Sequence, residues 1–343
     1  MDNSKPAVPE NILVQKKAIK RLSNTFSLAL ILEQFVGVLA LIFGAILIFL
    51  LRFGVFHQSS HVSFQKMFDF LSQSDNNDAI GSFFNLICYF TYMFVTFVII
   101  AAILRQNPFK VIPFKFKKVK FLPILLVFGL LVSIIGEQYS SFSDALLNFF
   151  NLKVNLEQFN FPTNPTALVF YVLSVSVFAP FCEEFIFRGL IMQNLRKYGD
   201  FFAVIVTALM FGVLHGNFEQ TPFAFVVGIA LGFTVLETGS VFAGIILHCL
   251  INSTSVIFGA ISTYAGDNLA NVIYLIYIAV IVALSVVSVI LLKKRGYLKR
   301  AYKKYLEKPS RPQKAFIMYS LTPGFIIFAS FYFLTCLISL THR

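Results

Sequence analysis

The residues with the strongest chemical signal lie between Cys182 and Gly189, inside a run that otherwise has the composition of a membrane helix. Two carboxylates, Glu183 and Glu184, are followed by the guanidinium of Arg188. A charged side chain at the centre of a bilayer costs about 3 kcal/mol or more, so three of them together need partners or a chemical task. This stretch is therefore the first candidate for a functional site.

The two carboxylates have different neighbours on a helix. Glu184 and Arg188 are one turn apart on the same face, so the spacing predicts a structural ion pair that holds the helix in register. Glu183 projects about 100° away from Glu184 and has no such neighbour, which makes it the candidate general base. Because Pro180 cannot donate to the carbonyl of Ser176, we expect the helix to kink or open just before the cluster.

Two later apolar runs carry further polar side chains. One run ends in His215, and another holds His248 and Asn252 one turn apart on the same face. If the chain forms an antiparallel hairpin that turns at Gly199, then Glu183 and His215 lie 16 residues on either side of the turn. At ~1.5 Å per residue both sit roughly 24 Å from the turn, so the spacing predicts one site in which His215 pairs with Glu183.

These side chains fit two kinds of hydrolytic chemistry. A carboxylate beside an imidazole can activate water, and His248 and Asn252 can donate hydrogen bonds to the oxyanion of an attacked carbonyl. Alternatively, Glu183, His215 and His248 form the two-histidine, one-carboxylate ligand set of many zinc hydrolases, which keeps a position open for water. The residues leave the metal-free and the zinc-dependent mechanism open, and the cofactor is unknown at this point.

Composition identifies the class of protein in which this site lies. The chain has 343 residues, of which 57% are hydrophobic and only 13% charged, so it is predicted to be an all-α membrane protein. The net charge of +12 is carried by lysines and arginines in the connections between apolar runs, as in cytoplasmic loops, and does not indicate nucleic-acid binding. All four cysteines lie in apolar runs and are expected to remain thiols.

The apolar runs predict a polytopic bundle of about nine spans with the N-terminus in the cytoplasm. Their approximate bounds are 26–51, 82–104, 121–137, 166–196, 201–217, 222–236, 240–259, 269–292 and 315–340. Gly228 and Gly232 in the sixth run have the small-xxx-small spacing that permits close helix contact. We divide the chain into an N-terminal membrane region (1–165), a catalytic helical core (166–292) and a basic cytoplasmic loop with the final span (293–343).

The ordered set of polar residues resembles the CPBP family, the group of CAAX proteases and bacteriocin-processing (Abi) proteins. Its pattern is Glu-Glu-x-x-x-Arg, Phe-x-x-x-His and His-x-x-x-Asn, which Glu183-Glu184 with Arg188, Phe211 with His215, and His248 with Asn252 match in order. The resemblance covers about 166–292. It implies that a Glu and a His activate water while the second His and the Asn stabilise the oxyanion. Family members are also labelled metalloproteases, which keeps zinc as a candidate cofactor.

The expected function is that of an intramembrane endopeptidase of the cell membrane, acting on a peptide or protein substrate within or beside the bilayer. The catalytic residues are predicted to be Glu183, Glu184, His215, His248 and Asn252, with Glu184 also paired to Arg188. Two other classes fit the same polar residues: a non-catalytic bacteriocin-immunity or scaffold protein, and a transporter that uses the carboxylates as proton carriers. The oligomeric state is not predicted.

Overall fold

A computed structural model describes residues 10–50, 79–154, 161–294, 296 and 312–342. The described part of the chain is almost entirely helical, as predicted. The helices are α1 (Glu10–Leu50), α2 (Ala79–Leu104), α3 (Pro108–Val111), α4 (Leu122–Phe149), α5 (Pro165–Leu173), α6 (Ala179–Glu184), α7 (Met192–Leu195), α8 (Asp200–Leu214), α9 (Gln220–Thr238), α10 (Val241–Ala265), α11 (Asp267–Lys294), α12 (Pro312–Ser320) and α13 (Pro323–Ile338).

Seven helices of the described ranges are long and apolar enough to cross a membrane, which confirms a multi-pass membrane protein. Two shorter apolar helices, Asp200–Leu214 and Pro323–Ile338, coincide with the fifth and ninth predicted spans. The number of spans and the side on which the N-terminus lies stay predictions, as does the three-part division of the chain. Most of the basic connection from Lys293 to Lys314 lies outside the described residues.

Two helices differ in extent from the predicted spans. The third span was expected to end at Glu137, but α4 continues to Phe149. This extension is held by Ser140 and Ser143, whose hydroxyls donate to the carbonyls of Glu219 and Phe218 at 2.6 and 3.2 Å. The ninth span was expected to be continuous, but it breaks between α12 and α13. Thr322 caps α13 by accepting from the amide of Phe325 at 3.3 Å, and the proline that follows Thr322 favours a new helix start.

The first and last helices of the chain pack together. Ser23 of α1 donates to the carbonyl of Tyr319 at 2.9 Å, and the side chain of Asn24 accepts from the amide of Gly324 at 2.9 Å. Residues 152–154 (β1) and 340–342 (β2) form a two-stranded antiparallel sheet in which Lys153 lies opposite Thr341. The ends of the chain therefore form one layer of the bundle.

The stretch that carries the candidate site is an interrupted helix, here called the site helix (Pro165–Tyr198). Two π-helical segments, Ser174–Phe178 and Phe185–Ile191, lie on either side of α6. The first of them ends two residues before Pro180, where the missing amide of the proline was expected to open the helix. The expected opening is confirmed, and π segments of this kind are frequent at functional sites.

Helices α8 and α9 approach each other closely because glycines face the contact. A Cβ atom at Gly228 would lie 3.0 Å from Cα of Ala208, and one at Gly232 would lie 3.0 Å from the side chain of Val204. The predicted small-xxx-small contact is therefore confirmed. Further along α8, a Cβ atom at Gly212 would lie 2.8 Å from the carbonyl oxygen of Thr221.

We expect Gly212→Ala to lower the free energy of unfolding by about 1–3 kcal/mol, because the added methyl group overpacks a contact with backbone atoms. The matched control is Gly37→Ala in α1, where the new methyl would meet only the ring of Tyr92 at 3.7 Å. It should be neutral or stabilise by up to about 1 kcal/mol through helix propensity. Unfolding by SDS titration in mixed micelles measures both variants, and equal losses would contradict the packing argument.

Candidate active site

Glu184 and Arg188 form the ion pair that their spacing predicted. Nη1 of Arg188 donates to Oε1 of Glu184 at 2.8 Å, and both side chains are fully buried. The same guanidinium donates through Nη2 to the carbonyl of Gly228 at 3.1 Å and lies 4.5 Å from the ring centroid of Phe211. The pair therefore stabilises more than the site helix itself, because Arg188 also contacts α8 and α9.

His248 contacts both carboxylates. Its Nδ1 lies 3.0 Å from Oε1 of Glu184, and its Nε2 lies 3.7 Å from Oε2 of Glu183. A carboxylate oxygen only accepts, so Nδ1 of His248 carries the proton in the contact with Glu184. Glu184 thus fixes the orientation of the imidazole and turns Nε2 toward Glu183.

Glu183 is the more accessible carboxylate of the two. Its side chain is 14% exposed, whereas that of Glu184 is fully buried. The hydroxyl of Tyr89 in α2 donates to Oε1 of Glu183 at 2.6 Å, which leaves Oε2 on the side of His248. Sequence reasoning missed Tyr89, because one tyrosine among the 13 in the chain carries no signal of a contact with a helix 94 residues away.

His215 lies at the end of α8 and does not touch Glu183 directly. Its Nδ1 is 2.9 Å from the carbonyl oxygen of Phe211, and its ring packs edge-on against the Phe211 ring at 5.1 Å between centroids. The direct contacts of Glu183 among the described residues run to Tyr89 and His248, so the predicted pairing with His215 was wrong as a contact. His215 still lies close enough to Glu183 for an electrostatic interaction.

The site helix departs from the uniform helix on which the predicted hairpin spacing rests. The hairpin calculation assumed a uniform α-helical rise, whereas the segment from Glu183 to the turn contains a π segment, Phe185–Ile191, and a 3-10 turn, Arg196–Tyr198. The Phe211 ring also lies 5.6 Å from the ring of His248. One aromatic side chain therefore packs against both imidazoles.

Asn252 connects α10 to the first π segment. Its side-chain amide donates to the carbonyl of Val175 at 2.9 Å, one turn along the helix from His248. This contact satisfies a carbonyl in a segment whose hydrogen bonding departs from the α-helical pattern. One amide hydrogen and the amide oxygen of Asn252 remain for other contacts, so its role at an oxyanion stays a prediction.

The three candidate zinc ligands do not converge on one point. Within the described ranges, no group of three His, Cys, Asp or Glu side chains has a metal-binding arrangement. Nδ1 of His215 contacts the carbonyl of Phe211, and Nδ1 of His248 contacts Glu184.

An apolar cavity of about 200 Å³ lies beside the carboxylates, between α2 and the site helix. Its walls include Phe90, Met93 and Phe94 from α2, and Phe181 and Cys182 from the site helix. Cys182 directly precedes Glu183 in the chain and, like the other three cysteines, is a free thiol as expected. The wall of the cavity thus includes the residue that precedes the candidate general base.

Part of the chain is similar to known membrane proteases. Residues 165–254 match a family model described as "Type II CAAX prenyl endopeptidase Rce1-like". The chain is 30% identical over 118 residues to the "Membrane-embedded CAAX protease MroQ" of Staphylococcus aureus (strain USA300), a match that covers 32% of this chain and 48% of that protein. It is 27% identical over 92 residues to the "Putative membrane peptidase YdiL" of Bacillus subtilis (strain 168), covering 26% of this chain and 38% of that protein.

The resemblance to the CPBP family is therefore confirmed, and it supports a membrane protease. The chain spans less than half the length of these two curated relatives. No solved structure matches it. The candidate residues from Glu183 to Asn252 lie inside the segment that matches the family model, whereas α2 with Tyr89 lies outside it.

We expect Arg188→Ala to lower the free energy of unfolding by about 3–5 kcal/mol, because it leaves the carboxylate of Glu184 buried without its partner. The matched control is Arg196→Ala, which breaks the i, i+4 ion pair of Arg196 with Asp200, also 2.8 Å long. The side chains of Arg196 and Asp200 are 38% and 32% exposed. That change should cost about 0–1 kcal/mol. Unfolding in mixed micelles gives both values, and similar losses would show that the buried pair does not hold the helices together.

Proposed function

We propose that this chain is an intramembrane endopeptidase in which Glu183 activates water for attack on a peptide bond. The observation that carries the proposal is the difference between two adjacent carboxylates. Glu184 is fully buried and bound to Arg188 and His248, whereas Glu183 keeps an oxygen on an accessible side, 3.7 Å from His248. Neighbouring carboxylates with different surroundings are typical of sites in which one group does acid–base work and the other holds the geometry.

In the proposed reaction, Glu183 accepts a proton from water while the water oxygen bonds to the carbonyl carbon of the substrate. Because Nδ1 of His215 must donate to the carbonyl of Phe211, the lone pair of a neutral His215 is on Nε2, where it can accept a hydrogen bond from the same water. When the carbon–nitrogen bond breaks, Glu183 returns its proton to the leaving amine. One water is consumed, and Glu183 ends the cycle as a carboxylate.

His248 and Asn252 are the proposed donors to the oxyanion of the tetrahedral intermediate. To donate from Nε2, His248 must be protonated at both nitrogens, and the carboxylates of Glu184 and Glu183 face its two nitrogens at 3.0 and 3.7 Å. They are the charges that balance such a cation. Asn252 has one amide hydrogen left after its bond to Val175. In this assignment Glu184 acts through His248 and touches no substrate atom.

The proposed substrate is a peptide or protein segment that reaches the site from the bilayer. This part of the proposal is supported by the apolar cavity beside Cys182, whose outer wall includes the lipid-facing side chains of Phe94 and Phe181, 54% and 40% exposed. A segment that approaches along this wall keeps its apolar side chains out of water up to the position of Glu183. The cavity thus favours an apolar substrate delivered by the membrane.

A non-catalytic immunity or scaffold protein is the second candidate. The observation that favours it is the bonding of Arg188 to Glu184 and to Gly228, since such a network packs helices whether or not chemistry takes place. The two functions differ at Glu183, which this packing network does not require. If the protein is a non-catalytic immunity or scaffold protein, the Glu183→Gln variant should retain biological activity.

We expect Glu183→Gln to lower peptide cleavage by about 10²–10⁴-fold, because an amide cannot accept the proton of water. His215→Ala should also lower cleavage. The matched control is Glu137→Gln, since Glu137 is another carboxylate in a membrane helix that accepts a hydrogen bond from a tyrosine, Tyr274. Cleavage of a peptide library by reconstituted protein, read by mass spectrometry, measures all three variants.

Undiminished cleavage in both Glu183→Gln and His215→Ala would overturn this assignment. A fall in the Glu137→Gln control would indicate that any loss of a membrane carboxylate damages the fold. Metal analysis of the purified protein, combined with a chelator test of cleavage, separates the metal-free mechanism from the zinc-dependent one. Loss of cleavage on chelation with recovery on adding zinc would identify the zinc-dependent form.

A further inference from the structure

We propose that Tyr89 is a positioning residue for the general base, an inference that rests on the proposed function. Its hydroxyl donates to Oε1 of Glu183 at 2.6 Å from α2, a helix outside the segment that matches the family model. A charged acceptor makes this one of the stronger kinds of hydrogen bond. The catalytic site thus extends beyond the matching segment and includes the second helix of the chain.

The contact selects one oxygen of Glu183 for the reaction. With Oε1 held by Tyr89, the free oxygen is Oε2, which lies on the side of His248. The phenol is itself held, because its ring packs edge-on against Tyr92 with 5.0 Å between centroids. Glu183 is therefore fixed between α2 and α10 before any substrate arrives, and such preorganisation lowers the barrier without adding a reacting group.

We expect Tyr89→Phe to lower kcat by about tenfold or more, the effect of losing one hydrogen bond to a charged group in the transition state. KM should change by less than about twofold, because Tyr89 does not bind the substrate. The unfolding temperature should fall only by the effect of losing one hydrogen bond, since the ring and its packing are kept. Tyr92→Phe, one turn further along α2, removes a neighbouring hydroxyl and is the matched control. Peptide cleavage by the reconstituted proteins gives kcat and KM.

Unchanged kcat in Tyr89→Phe would overturn the inference, as would an equal fall in Tyr92→Phe. A fall in kcat that is fully accounted for by an equal loss of folded protein would assign Tyr89 to packing instead. If the wild-type protein cleaves no peptide at all, it is the proposed function that fails. The failures of the two proposals are therefore distinguishable.

A second measurement tests the contact without activity. Hydrophobic carbodiimides react with protonated carboxyl groups, and removal of the Tyr89 hydroxyl leaves Oε1 of Glu183 free to take a proton. Labelling of Glu183 should therefore rise severalfold in Tyr89→Phe relative to that of Glu137, whose partner Tyr274 is untouched. Equal labelling ratios in wild type and variant would overturn the contact. Mass spectrometry of the peptides that contain each carboxylate gives the ratio.

A second proposal is carried by the apolar cavity. We infer that it binds a large apolar side chain of the substrate, next to the peptide bond that is cleaved, and this too rests on the proposed function. The cavity holds about 200 Å³, its lining is entirely apolar, and Cys182 in its wall is covalently joined to Glu183. A cavity of about 150 Å³ already accepts benzene, so this one has room for a phenylalanine, leucine or methionine side chain.

Lipid is the competing occupant, because Phe94 in the outer wall is 54% exposed. Two features favour a side chain of the substrate. The volume is below the roughly 300 Å³ at which pockets for larger ligands begin, so it fits one side chain better than a long acyl chain. Met93 in the wall is only 4% exposed and lies one helical turn from Tyr89, whose hydroxyl contacts the general base.

The test changes the size of the cavity in opposite directions. Met93→Trp narrows it and should shift the preferred residue beside the cleaved bond toward alanine and valine. Phe94→Ala enlarges it and should shift the preference toward tyrosine and tryptophan. Val98→Phe adds a ring to a lipid-facing position of α2 outside the cavity and should leave the preference for phenylalanine, leucine and methionine unchanged. Cleavage sites mapped in a peptide library give the preferences.

An identical preference in wild type and all three variants, or no apolar preference in the wild type, would overturn this proposal while leaving the proposed function intact. Binding is tested separately with the Glu183→Gln protein and an apolar peptide that carries a benzophenone side chain. Cross-links should map to Met93 and disappear when unlabelled peptide competes. The absence of a cross-link to Met93, or one that excess peptide does not displace, would identify lipid as the occupant.

Discussion

The buried ion pair of Glu184 and Arg188 is the interaction on which the rest of the site depends. Its two charges are fully removed from solvent, so they are stable only while their partners stay in place. Two glycines allow this: a Cβ atom at Gly228 would lie 3.3 Å from Nη2 of Arg188, and one at Gly244 would lie 2.6 Å from Oε2 of Glu184. Helices α9 and α10 can therefore come close enough to bind the pair.

This arrangement gives two adjacent carboxylates different tasks. Glu184 accepts from Arg188 and from His248 on Oε1 and acts through the position of the imidazole. Glu183 is held by a neutral hydroxyl on one oxygen and remains accessible on the other. A membrane interior makes such a division effective, because water and mobile ions are scarce there and each fixed charge acts strongly on its neighbours.

The parts of the site that could be predicted are those set by spacing along one helix. The pairing of Glu184 with Arg188 and the opening near Pro180 follow from local geometry. Contacts between helices were harder to predict, because they depend on the rise and tilt of each helix and on the length of the turns between helices. The π segment between Glu183 and the turn is one such feature, and the predicted pairing of His215 with Glu183 is not a direct contact. The role of Tyr89 could not be predicted for a similar reason, since no sequence periodicity indicates which helix packs beside the site helix.

The same logic applies to the fold as a whole. An apolar composition predicted helices and a membrane location, since the hydrophobic thickness of a bilayer fixes the length of apolar runs. It did not predict that α4 extends to Phe149, because the serines that hold this extension bind backbone carbonyls before α9. Nor did it predict the strand pair at residues 152–154 and 340–342, which joins segments almost 190 residues apart.

The two π segments also determine where the length of the chain can change. A π turn holds one residue more than the α-helical pattern requires, so removal of one residue from Ser174–Phe178 converts it to α-helix and leaves the flanking helices α5 and α6 nearly in place. The α-helical segment Ala179–Glu184 contains no extra residue of this kind. Removal of one residue from it therefore rotates the carboxylates by about 100° relative to Tyr89 and His248. Single-residue insertions and deletions in relatives should therefore accumulate in Ser174–Phe178 and be rare between Ala179 and Arg188, where they would alter the pairing of Glu184 with Arg188.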